Sequence, residues 1–299
     1  MWGAVRVVGI LRADGGLGAA LGRVDPALLV HGERIGAPRL LSYTLIPLSV
    51  GMFPHIFMHW LTARSAETFR LPIVAYPLCI AVVWVPSVLL GVIGSAAVPG
   101  LAGPAANSVL VTMIGLHAPE LLAGLLAAGV CAAVMSSLDS QVLALSTLFT
   151  RDVVRRHRLR AGVEAGMGDG TQVLVGRLFV VAILALTWGL SLVTERSIFR
   201  LGIWSFTGFA GLFPLVVAAL YWRRSTAAGA VCGIAAGAAT WLWLFRQAAG
   251  EPGYSLAGTG VMPVAAVIAA TRLALVLGSL ATPPPSPPPL QRFFPGRGG

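Results

Sequence analysis

Residues 121–152, LLAGLLAAGVCAAVMSSLDSQVLALSTLFTRD, are the stretch that most limits what this chain can become. They read as one long apolar helix with Ser136, Ser137, Asp139, Ser140 and Gln141 near its middle, running into VVRRHRLR. A bilayer helix needs about twenty predominantly apolar residues, and soluble cores rarely tolerate about thirty. Polar groups at bilayer depth are costly, and where they occur they face a cavity, a partner helix or an ion path. The expected fold class is therefore all-α, a polytopic membrane protein.

Charge and composition agree. Hydrophobic residues make up 57% of the 299 and charged residues 11%, against about 25% charged in a soluble domain. The net charge of +10 could point to nucleic acid, but the arginines flank apolar spans and form no basic patch interleaved with aromatics. Membrane orientation is the expected reading, with no nucleic-acid partner. Cys79, Cys131 and Cys232 lie singly in separate apolar stretches, and are expected to be small buried hydrophobes rather than a disulfide framework or metal pair. Enzyme motifs (P-loop, GxSxG, HExxH) are missing from the sequence, so no catalysis is expected.

Seven spans are expected, at 38–60, 71–96, 121–149, 173–193, 201–222, 226–245 and 262–281. Pro47, Pro54, Pro77, Pro86 and Pro214 lie inside them, each marking a kink or break that neighbours must satisfy. Arginine placement orients the set. If the first span enters the cytoplasm at its C-terminal end, Arg64, Arg70, Arg151, Arg155, Arg156, Arg158, Arg160, Arg223, Arg224, Arg292 and Arg297 fall inside. Only Arg196 and Arg200 fall outside, with Arg246 at a boundary, as the positive-inside rule requires. Arg272, near the centre of the last span, must snorkel or pair. Residues 1–37 read as a loop, an interfacial segment or the remnant of a helix, since Met1–Leu11 is too short to span and lacks a signal-peptide cleavage site. Residues 282–299 read as a proline-rich polyproline II tail.

The segment Ala132–Asp152, AAVMSSLDSQVLALSTLFTRD, resembles the eighth core helix of the sodium:solute symporter family. PHIFMHW at Pro54–Trp60, GLFPLVVAALYWRR at Gly211–Arg224 and the PP…RFF ending resemble the same family at matching spacing. The resemblance implies a LeuT-like inverted-repeat transporter fold, with substrate and sodium held at the midplane between two five-helix repeats. On this mapping residues 38–281 carry the second repeat only, core helices six to ten, plus two peripheral helices. The first repeat is then expected from a missing N-terminal half or another copy of the chain.

Site residues follow from the resemblance position by position. Sodium, as the coupling ion, would be held by the Ala133 carbonyl and the Ser136 and Ser137 hydroxyls, with no other cofactor. These three share one helix face, being three and four residues apart. The bland alternative is that the serines bond the preceding turn or let helices pack closely. Asp139 and Ser140 are a second-ion candidate, and Asp139 equally suits a proton or an arginine partner. Ser49, Val50, Gly51, Met52, Phe53 and Pro54 fit the mid-membrane break of core helix six, facing the substrate pathway. Trp204, Ser205, Thr207 and Phe209 stand at core helix ten, as a gate or as packing. His55 and His59, one turn apart, lack a third metal ligand nearby. Gly229, Gly233 and Gly237 make a GxxxGxxxG close-packing stripe.

The implied function is sodium-coupled symport of a small organic solute by alternating access, in a bacterial inner (plasma) membrane, with solute, sodium and the lipid bilayer as partners. The competing reading is a truncated or non-transporting membrane module without the first repeat, a sensor or scaffold.

Overall fold

The apolar segments are helices in the computed structural model, which describes residues 16–29, 35–101, 103–117, 119–160, 168–193, 198–251 and 253–285. The Met1–Leu11 segment, Arg196, Arg292, Arg297 and positions 286–299 of the proline-rich tail lie outside the described residues. Among the described residues there is no strand. Among the described residues six helices are long and apolar enough to cross a membrane, and a bent helix pair, Ala37–Met52 with Pro54–Leu61, makes up to seven if it counts as one span. The protein is an all-α polytopic membrane protein. The helices fall into two compact units, one of residues 1–31 and 58–197, the other of residues 32–57 and 198–299.

The second unit begins with α3 (Ala37–Leu45; the short α1, Leu17–Leu21, and α2, Pro26–Leu29, precede it). A 3-10 turn, Ile46–Met52, follows, then α4 (Pro54–Leu61), of which residues up to Phe57 belong to this unit. The unit continues with α10 (Ile198–Ala210), α11 (Phe213–Tyr221), α12 (Ala227–Gln247) and α13 (Pro263–Ala281). Its tightest contact is α12 on α13, and the glycine stripe is the reason. A Cβ at Gly229 would lie 2.7 Å from the Ser279 backbone nitrogen and 2.8 Å from the Leu275 carbonyl. At Gly237 it would overlap the Thr271 hydroxyl. In lipid, helix association rests on packing and hydrogen bonds, so close backbone approach supplies the stabilisation. Hydrogen bonds finish the junction: Thr226 donates its N–H to Ser279 Oγ at 3.2 Å, and Arg224 Nη1 donates to the Ser279 carbonyl at 2.7 Å.

At the other end of α13, the α12–α13 connection ties down α3. Arg39 Nη2 donates to the Gly253 carbonyl at 2.6 Å, and the Met262 N–H donates to Ser42 Oγ at 3.1 Å. Met262 and Val264 are buried with Ala210 against Tyr43, Ile46 and Ile203.

The first unit is built on α5 (Arg70–Ala97), α6 (Val109–His117), α7 (Glu120–Leu148) and α9 (Asp169–Val193), with the short α8 (Arg156–Arg160). Pro77 and Pro86 interrupt the backbone bonding of α5 without dividing the helix. Pro119 caps α7 and Glu120 opens its first turn. At its arginine end α7 widens into a π-helical turn over Phe149–Arg155, where Phe149 stacks on Phe179 of α9 with centroids 4.2 Å apart. Residues 98–117, between the expected spans 71–96 and 121–149, contain a 3-10 turn and α6, held on α5 where Val109 packs against Gly94.

The cysteine expectation needs correcting: Cys79, Cys131 and Cys232 are all exposed. A bilayer supplies an apolar solvent, so a small hydrophobe on a spanning helix need not be covered by protein.

Candidate ion and solute site

Ala133, Ser136 and Ser137 lie on one face of α7 about one turn apart, and all three are exposed. Several helical hydroxyls elsewhere in the chain turn back on their own helix, and others, such as Thr271, do not. Ser87 donates to the Val83 carbonyl at 2.7 Å, Thr147 to Leu143 at 2.9 Å and Ser191 to Trp188 at 2.6 Å. Ser140 does the same, to the Ser137 carbonyl at 2.9 Å. Among the described residues the Ser136 and Ser137 hydroxyls make no such bond, so their oxygens remain available. Ser140 is back-bonded within α7, and no such bond is made by Ser136 or Ser137 among the described residues. Asp139, also exposed, has no ion-pair partner among the described residues.

The break in the first span has a direct sequence cause. Pro47 opens the 3-10 turn, Gly51 ends it weakly, and Pro54 lacks the N–H that would continue a helix. Phe53 adopts an extended backbone (φ −65°, ψ 129°), and the two halves are bent by 60°. Ser49 is fully buried and its hydroxyl donates to the Ile46 carbonyl at 2.7 Å; Met52 is buried beside it. Val50 is exposed. Phe53 meets α10, with its ring 4.5 Å from Phe209 and 5.4 Å, edge-on, from Phe206.

Trp204 on α10 is 3% exposed and sits edge-on to Phe245 at 5.2 Å and to Trp241 at 6.4 Å. Its indole donates to the Glu251 carbonyl at 3.3 Å, and Trp241 donates to the Trp204 carbonyl at 2.8 Å. Thr207 is buried one turn on. Of the two readings offered for Trp204, this environment is packing within its own unit. Ser49–Pro54 and Trp204–Phe209 thus come together in one unit, whereas Ala133, Ser136, Ser137, Asp139 and Ser140 belong to the other.

Two cations in the spans have separate settings. Arg272, midway along α13, is exposed and lines a groove of about 470 Å³ with Tyr221 and Trp222. Arg177 was not singled out from the sequence, although a charge about two turns into an apolar helix is a legible signal. It lines a groove of about 840 Å³ between α7 and α9, with Arg151 and Asp139. Among the described residues no three His, Cys, Asp or Glu side chains are placed to share a metal ion.

The sodium:solute symporter family profile matches residues 35–237. The sodium/proline symporter of Staphylococcus aureus is 31% identical over 207 residues, 65% of this chain and 39% of that protein. The osmoregulated proline transporter OpuE of Bacillus subtilis (strain 168) is 28% identical over 226 residues, 74% of this chain and 45% of that protein. The chain thus spans less than half the length of these relatives. It belongs to the sodium:solute symporter family.

Proposed function

We propose that this chain supplies the second, sodium-binding repeat of a LeuT-like symporter that drives a small organic solute inward across a bacterial plasma membrane by alternating access. The observation that carries the reading is the pair of uncommitted hydroxyls, Ser136 and Ser137, one turn from the Ala133 carbonyl on an exposed face of α7. A carbonyl oxygen retains a second lone pair inside a helix, and hydroxyls accept as well as donate, so this face carries three hard oxygens. Sodium bound to them would be completed by carbonyls of an unwound helix in the first repeat, supplied by a segment beyond these 299 residues or by another copy. Asp139 and Ser140 stand one turn further on as a second cation position. Residues 38–281 form the transporter region of this proposal, with 1–37 and 282–299 as flanking segments.

The solute pathway is assigned to the break, where Val50, Phe53 and Pro54 present side chains and Ser49 and Met52 shape the turn behind them. Trp204 and Thr207 support that wall from α10. Two relatives are named for proline, which makes proline the first solute to test. The test is sodium-dependent uptake into proteoliposomes by the intact transporter containing these helices. Ser136→Ala with Ser137→Ala should raise the sodium concentration for half-maximal uptake. An unchanged sodium dependence in that double variant would overturn the assignment.

A further inference from the structure

The α7–α9 groove is unlike the hydroxyl face in one respect: its two ends differ in chemistry. At the arginine-rich end stand Arg151 and Arg177. Gly176 fixes their relative level, since a Cβ there would lie 2.8 Å from Ser146 Oγ and 3.6 Å from Thr150 Oγ1. Arg177 on α9 is therefore within about a turn of Arg151 along the helix axes. Both guanidiniums are exposed, and among the described residues neither has a carboxylate partner. A guanidinium cannot shed its charge, so at a membrane boundary it must find an anion or water. Beyond them the lining turns apolar, through Val142, Leu143, Val180 and Val181. That stretch ends at Asp139, about 18 Å along α7 from Arg151.

We propose that this groove is a binding site for an anionic phospholipid of the inner leaflet, its phosphate held between Arg151 and Arg177. One acyl chain lies along Val142, Leu143, Val180 and Val181 and stops short of Asp139. A basic pocket between spanning helices on the cytoplasmic side is the arrangement that recognises such headgroups. A free phosphate would satisfy the arginines and leave the apolar length of the groove unfilled, so the occupant is the lipid. The inference goes beyond the transport reading and needs neither sodium nor solute binding, only the orientation set by the arginines.

The test is native mass spectrometry of the full chain released from nanodiscs containing equal phosphatidylglycerol and phosphatidylcholine. Phosphatidylglycerol should be retained selectively. Arg151→Gln with Arg177→Gln should weaken its retention on the order of 10- to 30-fold, from about 1 kcal/mol per arginine near the surface. Arg155→Gln with Arg156→Gln, equal in charge but away from the groove, should change it far less. Val181→Trp blocks the tail without altering charge and should also reduce retention, which separates a site from general attraction. Three results would overturn the proposal. Retention could follow total charge in both double variants alike. Inorganic phosphate could displace the lipid fully at millimolar concentration. A photoreactive group at position 180 could attach to another polypeptide segment and not to lipid.

Discussion

Substituting alanine at the three stripe glycines of α12 should produce three different results, because each meets a different kind of atom on α13. At Gly229 the new methyl would overlap Ser279 Oγ and approach the Ser279 nitrogen and Leu275 carbonyl at 2.7 and 2.8 Å, so backbone atoms must move. Overpacking of that kind costs about 1–3 kcal/mol, here at the upper end, while glycine to alanine within a helix returns about 1 kcal/mol. Gly229→Ala should therefore destabilise the α12–α13 pair by about 2 kcal/mol. At Gly237 the obstacle is the Thr271 side chain alone, whose Cβ stays 3.6 Å away. At Gly233 nothing comes nearer than 3.2 Å, and the two effects should nearly cancel. The second-site variants sharpen the test. Thr271→Ala should relieve Gly237→Ala, whereas Ser279→Ala should not rescue Gly229→Ala, because the backbone contacts persist. Free energies from steric trapping in bicelles would measure the series. A stable Gly229→Ala, or its full rescue by Ser279→Ala, would refute the packing argument.

Three other outcomes are expected. Removing Ser136 or Ser137 singly should raise the sodium requirement for uptake less than removing both; sodium titration of uptake checks this. Arg224 donates to the Ser279, Leu280 and Thr282 carbonyls at the C-terminus of α13, so Arg224→Ala should cost about 2 kcal/mol and Arg224→Lys less, since an ammonium cannot reproduce the fork; thermal unfolding in detergent reads both. Trp204→Ala should cost about 3 kcal/mol, against less than about 1 kcal/mol for Glu251→Gln, which removes a half-exposed ion pair with Arg200. Equal losses from these two would show that the ion pair, not the indole packing, holds the α12–α13 connection to α10.

Much of the fold was legible because the bilayer imposes simple constraints. A spanning helix must be long, apolar and internally hydrogen-bonded, so hydropathy located the six long apolar helices within a few residues. The break at Ser49–Pro54 was legible for a local reason, since proline and glycine act on their own turn. The contrast between proline sites was less so: Pro77 and Pro86 leave α5 continuous, while Pro54 stands at a 60° bend. The helix at 109–117 was missed because nine apolar residues are too short to announce a span. Cys79, Cys131 and Cys232 were expected to be buried and are exposed, because an apolar residue on a spanning helix need not be covered by its own chain.

The sequence by itself determined the class of molecule, the order of its spans and the positions of the polar groups within them, because these depend on each segment's exchange between water and lipid. It also placed the glycine stripe, whose spacing is a property of one helix. Only the tertiary structure decided that α13 receives that stripe and that Trp204 is enclosed by aromatic rings. Arg151 and Arg177 share one groove for a like reason. Each of these depends on which atoms of another turn or helix arrive within a few ångströms, and no local pattern carries that information.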